Sequence, residues 1–182
     1  MIKLHGERIY LAALEHENWK KLQLDMEYDF ENPTETISFG LSAEQTDKRF
    51  EEIQGKIKDG IHVYLGIFLN DGEVIGDIAL QSIDKNDRSC SLGMGFTKMQ
   101  HRNVGYGTEA ARLALRYGFC NLGLERIWAS TYEFNTSAQK VMEKLGFTLE
   151  GVHRKAVYFC GKRVDEYYYG MLRDEFEANK GE

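Results

Sequence analysis

Phe96-Thr97-Lys98-Met99-Gln100-His101-Arg102-Asn103-Val104-Gly105-Tyr106-Gly107-Thr108-Glu109-Ala110 is the stretch whose reading decides the fold. A short strand-like run, residues 89–96, leads into it. Beyond it, Ala110, Leu113, Ala114 and Tyr117 keep the i, i+3, i+4, i+7 spacing of one helix face. Strand, glycine-bearing loop and helix therefore follow one another directly. That order leaves the backbone N–H groups of Val104, Gly105, Tyr106, Gly107 and Thr108 at a helix N-terminus, without intrahelical acceptors and next to the positive end of the dipole. Gly105 and Gly107 have no Cβ, so an anion can come up to the backbone. Arg102, followed by Asn103, adds a fixed positive charge at the mouth. The combination predicts a phosphate cradle, suited to a pyrophosphate.

Three phosphate-binding patterns compete for this loop. A Walker loop needs G-x-x-x-x-G-K-[ST], and the chain has no such run. A dinucleotide fingerprint needs a third glycine where Ala110 stands, and an acid after the next strand, whereas Glu125 lies before it. The third pattern is R-x-x-G-x-G, read as Arg102-Asn103-Val104-Gly105-Tyr106-Gly107. The six residues alone also fit an ordinary glycine-started helix, so the rest of the chain must decide.

Downstream, Asn135-Thr136-Ser137-Ala138-Gln139-Lys140-Val141-Met142-Glu143-Lys144-Leu145-Gly146-Phe147 resembles the segment of GNAT N-acetyltransferases that begins with Asn and ends in EKLGF. The runs 149–156 and 161–166 resemble the C-terminal part of one branch, that of the ribosomal-protein N-terminal and spermidine acetyltransferases. The specific matches lie between about Ser89 and Leu172. The resemblance implies a single GNAT domain over residues 1–182, with a mixed, mostly antiparallel α/β sheet of six or seven strands and helices on both faces. It implies acetyl-CoA as cosubstrate, its pyrophosphate at residues 102–108 and its pantetheine arm along the backbone of Met94, Gly95 and Phe96. Asn135 is expected on the same cosubstrate side of the cleft, besides capping the helix that follows it. Homodimers are common in folds of this kind.

Composition is that of an ordinary globular domain, with 42% hydrophobic and 29% charged residues. A net charge of −6 argues against nucleic acid as the main partner and suits a cationic acceptor such as an amine. Cys90, Cys120 and Cys160 are odd in number and widely spaced, which fits neither a disulfide framework nor a metal site. They are expected to be small, buried or half-buried side chains in a reducing cytosol. No apolar run approaches the ~18 residues of a membrane span, and the N-terminus has no signal-peptide core. A cytoplasmic protein is expected.

Taken in order, residues 8–14 alternate as a first strand and 17–25 form a short helix with Trp19 and Leu22 inward. Residues 26–41 are irregular. Asp25, Glu27, Asp29, Glu31 and Glu35 make the segment acidic, and it is expected to border the acceptor site. Ser42-Ala43-Glu44-Gln45 has the form of a capping box and opens a helix to about residue 59. Strands at 62–69 and 74–83 flank the hairpin turn Asn70-Asp71-Gly72. Strands at 126–132, 148–158 and 164–172 surround a helix at 135–144.

Acetyl transfer to an amine requires loss of an amine proton, stabilisation of the carbonyl oxygen, and protonation of the departing thiolate. Related enzymes often take the acid from a Tyr in the short helix and the base from a carboxylate on the strand entering the loop. Met142 and Ser91 stand at those positions, and Ala138 replaces a related serine. Tyr132 and Ser137 are the catalytic candidates that remain, with Glu133 and Ser91 behind them. His101 is expected to be a solvated loop residue. The rival to an amine N-acetyltransferase is an acyl-CoA-binding sensor or partner subunit of the same fold.

Overall fold

Among the described residues there are eight strands: β1 (Lys3–His5), β2 (Ile9–Ala13), β3 (Val63–Leu69), β4 (Val74–Asp84), β5 (Ser89–Phe96), β6 (Arg126–Tyr132), β7 (Thr148–Phe159) and β8 (Lys162–Leu172). The helices are α1 (His16–Leu24), α2 (Ala43–Lys58), α3 (Tyr106–Arg116), α4 (Thr136–Leu145) and α5 (Arg173–Ala178). The computed structural model describes residues 3–31, 33–34 and 42–179. Its strands form one sheet in the order β1-β2-β3-β4-β5-β6-β8-β7. The sheet has one strand more than the upper expectation. β1 supplies it, and at three residues it is too short for alternation to reveal. α5 was not foreseen either.

Turn chemistry sets the meander. Gly72 takes φ 96° at the β3–β4 hairpin, where its N–H donates to Leu69 O at 2.9 Å. The expected capping box forms at α2, with Gln45 N donating to Ser42 Oγ at 3.2 Å and Ser42 N to Gln45 Oε1 at 2.7 Å. One face of the sheet packs against α1 and α2 through Leu14, Trp19, Leu22, Phe68 and Val74, with Phe50 and Ile53 added from α2. Trp19 Nε1 donates to Thr46 O at 3.1 Å, which satisfies the indole inside this cluster. The larger core on the other face holds Ile67, Ile78 and Leu80 from the sheet with Ala111, Leu115 and Phe119 from α3 and the turn after it. Cys90 is buried there, and burial pushes its thiol up to about 12. Cys120 and Cys160 lie exposed, contrary to expectation, because the turns that carry them face solvent.

Every strand pair is antiparallel except β5–β6. Those two run parallel and are in register only at Ser89↔Arg126, Cys90↔Ile127 and Ser91↔Trp128. Beyond that point β5 stays paired to β4 as far as Phe96, and β6 to β8 as far as Tyr132. The sheet therefore opens into a gap at its centre, which the entry to α3 faces. Among the described residues no helix is long and apolar enough to cross a membrane.

Glu109, in the first turn of α3, fixes the helix against the β1–β2 turn. Its carboxylate accepts from Arg8 N at 2.9 Å, Arg8 Nε at 3.2 Å and Ile9 N at 3.4 Å. Burial alone would raise this carboxyl. The backbone N–H groups of Arg8, Glu7 and Ile9 and the Arg8 guanidinium outweigh it and hold the group below its ordinary value. A depressed folded-state value stabilises the fold above the unfolded pKa and is lost as the pH falls through the folded one. Glu109→Gln is therefore expected to cost about 1.5–3 kcal/mol at pH 7, the range for hydrogen bonds to a charged group. Denaturant unfolding should show the gap between variant and wild type closing below about pH 4, near the reference carboxyl value.

Candidate functional site

The loop between β5 and α3 turns twice through left-handed backbone, at Asn103 (φ 61°) and at Gly105 (φ 96°), the latter being the N-cap of α3. Glycine relieves the second turn, and Asn is the residue that best tolerates the first. The first N–H after the loop to find a helical acceptor is that of Glu109, on Gly105 O at 3.2 Å. The N–H groups of the preceding first turn have no intrahelical acceptor, as at any helix start. At Gly107 a Cβ would stand 3.2 Å from Met94 Cε and 3.4 Å from Phe96 Cε2. The side of Gly107 where a Cβ would stand thus faces β5.

Two arginines flank the loop. Arg8, which sequence reading did not single out, donates from Nη1 to Val104 O at 2.9 Å and lies over the Tyr106 ring at 4.9 Å. Its separation of 96 residues from Val104 leaves no local signal. Arg102 turns under the loop. Its guanidinium donates to Phe96 O at 3.0 Å, Glu27 O at 3.3 Å and Thr34 Oγ1 at 3.4 Å.

Across the gap, Asn135 Oδ1 accepts from Ala138 N at 3.0 Å and caps α4, while Nδ2 donates to Thr34 O at 2.8 Å. Thr34 is thus held from both sides, by Arg102 and by Asn135. Within the acidic segment, Glu27 Oε2 accepts from Met99 N at 2.9 Å, and Glu27 N donates to Thr97 O at 2.8 Å. Glu31 is exposed, and Glu35 lies outside the described residues.

The catalytic candidates scatter. Tyr132 ends β6 with its ring 5.2 Å from Phe134, and Ser137 is half-buried in the first turn of α4. Glu133 Oε2 accepts from Asp165 N at 3.0 Å, which ties it to the β7–β8 hairpin. Ser91 Oγ donates to Gln81 O at 3.3 Å. Met142 is buried in the main core. His101 is buried rather than solvated, since the 3-10 turn Met99–His101 tucks its ring inward, and Nδ1 has no partner among the described residues. Among the described residues no group of three His, Cys, Asp or Glu side chains is arranged to hold a metal ion.

The sequence profile of the family described as "Acetyltransferase (GNAT) domain" matches residues 8–148. The probable N-acetyltransferase YjcK of Bacillus subtilis is 32% identical over 131 residues, covering 71% of this chain and 72% of the relative. The ribosomal-protein-S5-alanine acetyltransferase of Vibrio fischeri superposes with a TM-score of 0.83 at 17% identity, covering 97% and 99% of the two chains. A mutant form of the spermidine/spermine N-acetyltransferase SpeG of Vibrio cholerae gives 0.74 at 22% identity and coverages of 95% and 99%. At these identities the two structures speak for the fold alone.

Arg102 is the group on which the phosphate reading can be tested most sharply. Arg102→Ala is expected to weaken acetyl-CoA binding by about 1.5–3 kcal/mol, as for a charge-assisted contact. Calorimetry with a pantetheine analogue lacking the phosphates should show a much smaller loss. Equal losses for both ligands would make Arg102 only a strut between residues 27, 34 and 96.

Proposed function

We propose that this chain, which belongs to the GNAT acetyltransferase family, transfers an acetyl group from acetyl-CoA to a primary amine by direct attack within a ternary complex. The observation that carries the proposal is the parting of β5 from β6 after Ser91, in front of the N-terminus of α3. A strand edge inside a sheet offers main-chain donors and acceptors to an extended ligand, as in strand addition. The pantetheine arm is such a ligand, and Met94, Gly95 and Phe96 carry the edge that would receive it. The pyrophosphate then falls to the N–H groups of residues 103–108, where the helix dipole favours negative charge. β5 N–H groups turned into the gap are the donors available to a thioester oxygen as charge develops on it.

The amine reading draws on the acidic segment and the net charge of −6. Negative potential at residues 25–31 raises the encounter rate of a cation and is screened by salt. A second reading, an acyl-CoA-binding sensor, gains from Ser91 being bonded to Gln81 O and from Met142 lying in the core, since neither site supplies an acid or base.

Incubating the protein with acetyl-CoA and a panel of spermidine, an alanine-starting peptide and an aminoglycoside separates the two readings. The acetyltransferase should release CoA with at least one acceptor, with kcat/KM falling as ionic strength rises and a flatter slope in Glu31→Gln. Tight acetyl-CoA binding without release across the panel would favour the sensor.

A further inference from the structure

The sheet face that carries α1 and α2 holds a polar pair, Asp77 and Tyr64. β4 and β5 are in register at Asp77↔Gly95, Ala79↔Gly93 and Gln81↔Ser91, so these side chains share one face. β3 places Tyr64 on the same face, opposite Ala79. β5 is bare there. A Cβ at Gly93 would meet nothing nearer than 3.8 Å, and one at Gly95 would stand 3.3 Å from Asp77 Oδ1. The Asp77 carboxylate therefore stands beside Gly95, in the very part of β5 that has left β6.

Asp77 Oδ2 accepts a hydrogen bond from the Tyr64 hydroxyl, and the Tyr64 ring packs edge-on against Trp19 with centroids 5.6 Å apart. Burial, and then the neighbouring Asp77 charge, push the Tyr64 hydroxyl far above its ordinary value, so it stays a donor at any working pH. The positive charge of Arg49 on α2 opposes that shift of the Tyr64 hydroxyl. Beyond the gap the same face is aromatic. Trp128, in register with Ser91, stacks on Tyr168 at 6.2 Å, and His153 packs on Tyr168 at 4.2 Å.

We infer that Asp77 is the carboxylate of the acceptor site, receiving the ammonium form of the incoming amine beside Gly95 of β5, with Tyr64 as its positioning residue. This rests on the acetyltransferase reading. Asp77 takes one proton from the ammonium group and frees the nitrogen lone pair. The nitrogen then bonds to the thioester carbonyl carbon while the C–S bond breaks and its electron pair leaves with sulfur. A second proton passes from the new amide nitrogen to the thiolate, and Asp77 returns the first to solvent. The products are the amide, the CoA thiol and one proton.

The test measures acetyl-CoA affinity by calorimetry, and CoA release with the three-acceptor panel, for wild type, Asp77→Asn and Tyr64→Phe. Asp77→Asn should keep its acetyl-CoA Kd within about threefold and lose about 100-fold or more in kcat/KM, the scale of a proton-transfer group. Tyr64→Phe removes a hydrogen bond that stabilises the anion, so the acid limb of its kcat/KM profile should move to higher pH. Asp77→Asn turnover within about threefold of wild type would overturn the assignment, as would loss of acetyl-CoA binding together with turnover. An unmoved acid limb would remove Tyr64 from its role. A wild type silent with all three acceptors would overturn the acetyltransferase reading, and this inference would fall with it.

Discussion

Two neighbouring strands that stay in register for three residue pairs and then separate are the constraint on which the rest of the structure depends. A buried sheet does not leave main-chain donors and acceptors unpaired without reason, because each costs free energy comparable to a lost hydrogen bond. Here both strands keep their outer partners, so the opening is confined to one line between β5 and β6. The flanking elements are held hard. Glu109 pins α3 to the β1–β2 turn, and Glu133 ties the end of β6 to Asp165 in the distal hairpin. The gap is therefore a rigid feature of the scaffold, with a helix N-terminus fixed at its mouth.

Two groups from opposite sides of that gap meet on one short segment. Arg102 reaches Thr34 from the β5–α3 loop, and Asn135 reaches it from the start of α4. Arg102 stands between two demands, since a phosphate would compete for a guanidinium that otherwise serves main-chain and hydroxyl oxygens at residues 27, 34 and 96. The acidic segment is likewise bound to the loop through Glu27 and the Met99 N–H. The β5–α3 loop, the start of α4 and the acidic segment thus share their hydrogen-bond partners.

Local patterns made the frame legible. β5 and β6 have the bounds that alternation predicts, and the capping box at Ser42 and Gln45 forms as its spacing requires. The helix after Gly105 was equally plain, because a glycine N-cap and an apolar stripe are both short-range signals. What escaped was long-range. Arg8 comes to the loop from 96 residues away, and the Asp77–Tyr64 pair arises only from the register of three strands. His101 misled because loop position suggests exposure, whereas the 3-10 turn folds its ring inward. The direction of a Cβ at Gly107, toward Met94 and Phe96, likewise depends on how α3 sits on β5.

Amide hydrogen exchange with and without CoA tests the central claim most directly, since it reads the backbone groups themselves. An extended ligand bonded to the freed edge of β5, with its phosphates on the first turn of α3, should slow exchange at residues 94–96 and 103–108 together. The outer strands β1 and β7 should be unchanged. Saturating CoA that left both segments exchanging as in the free protein, or that protected a different region, would contradict the account.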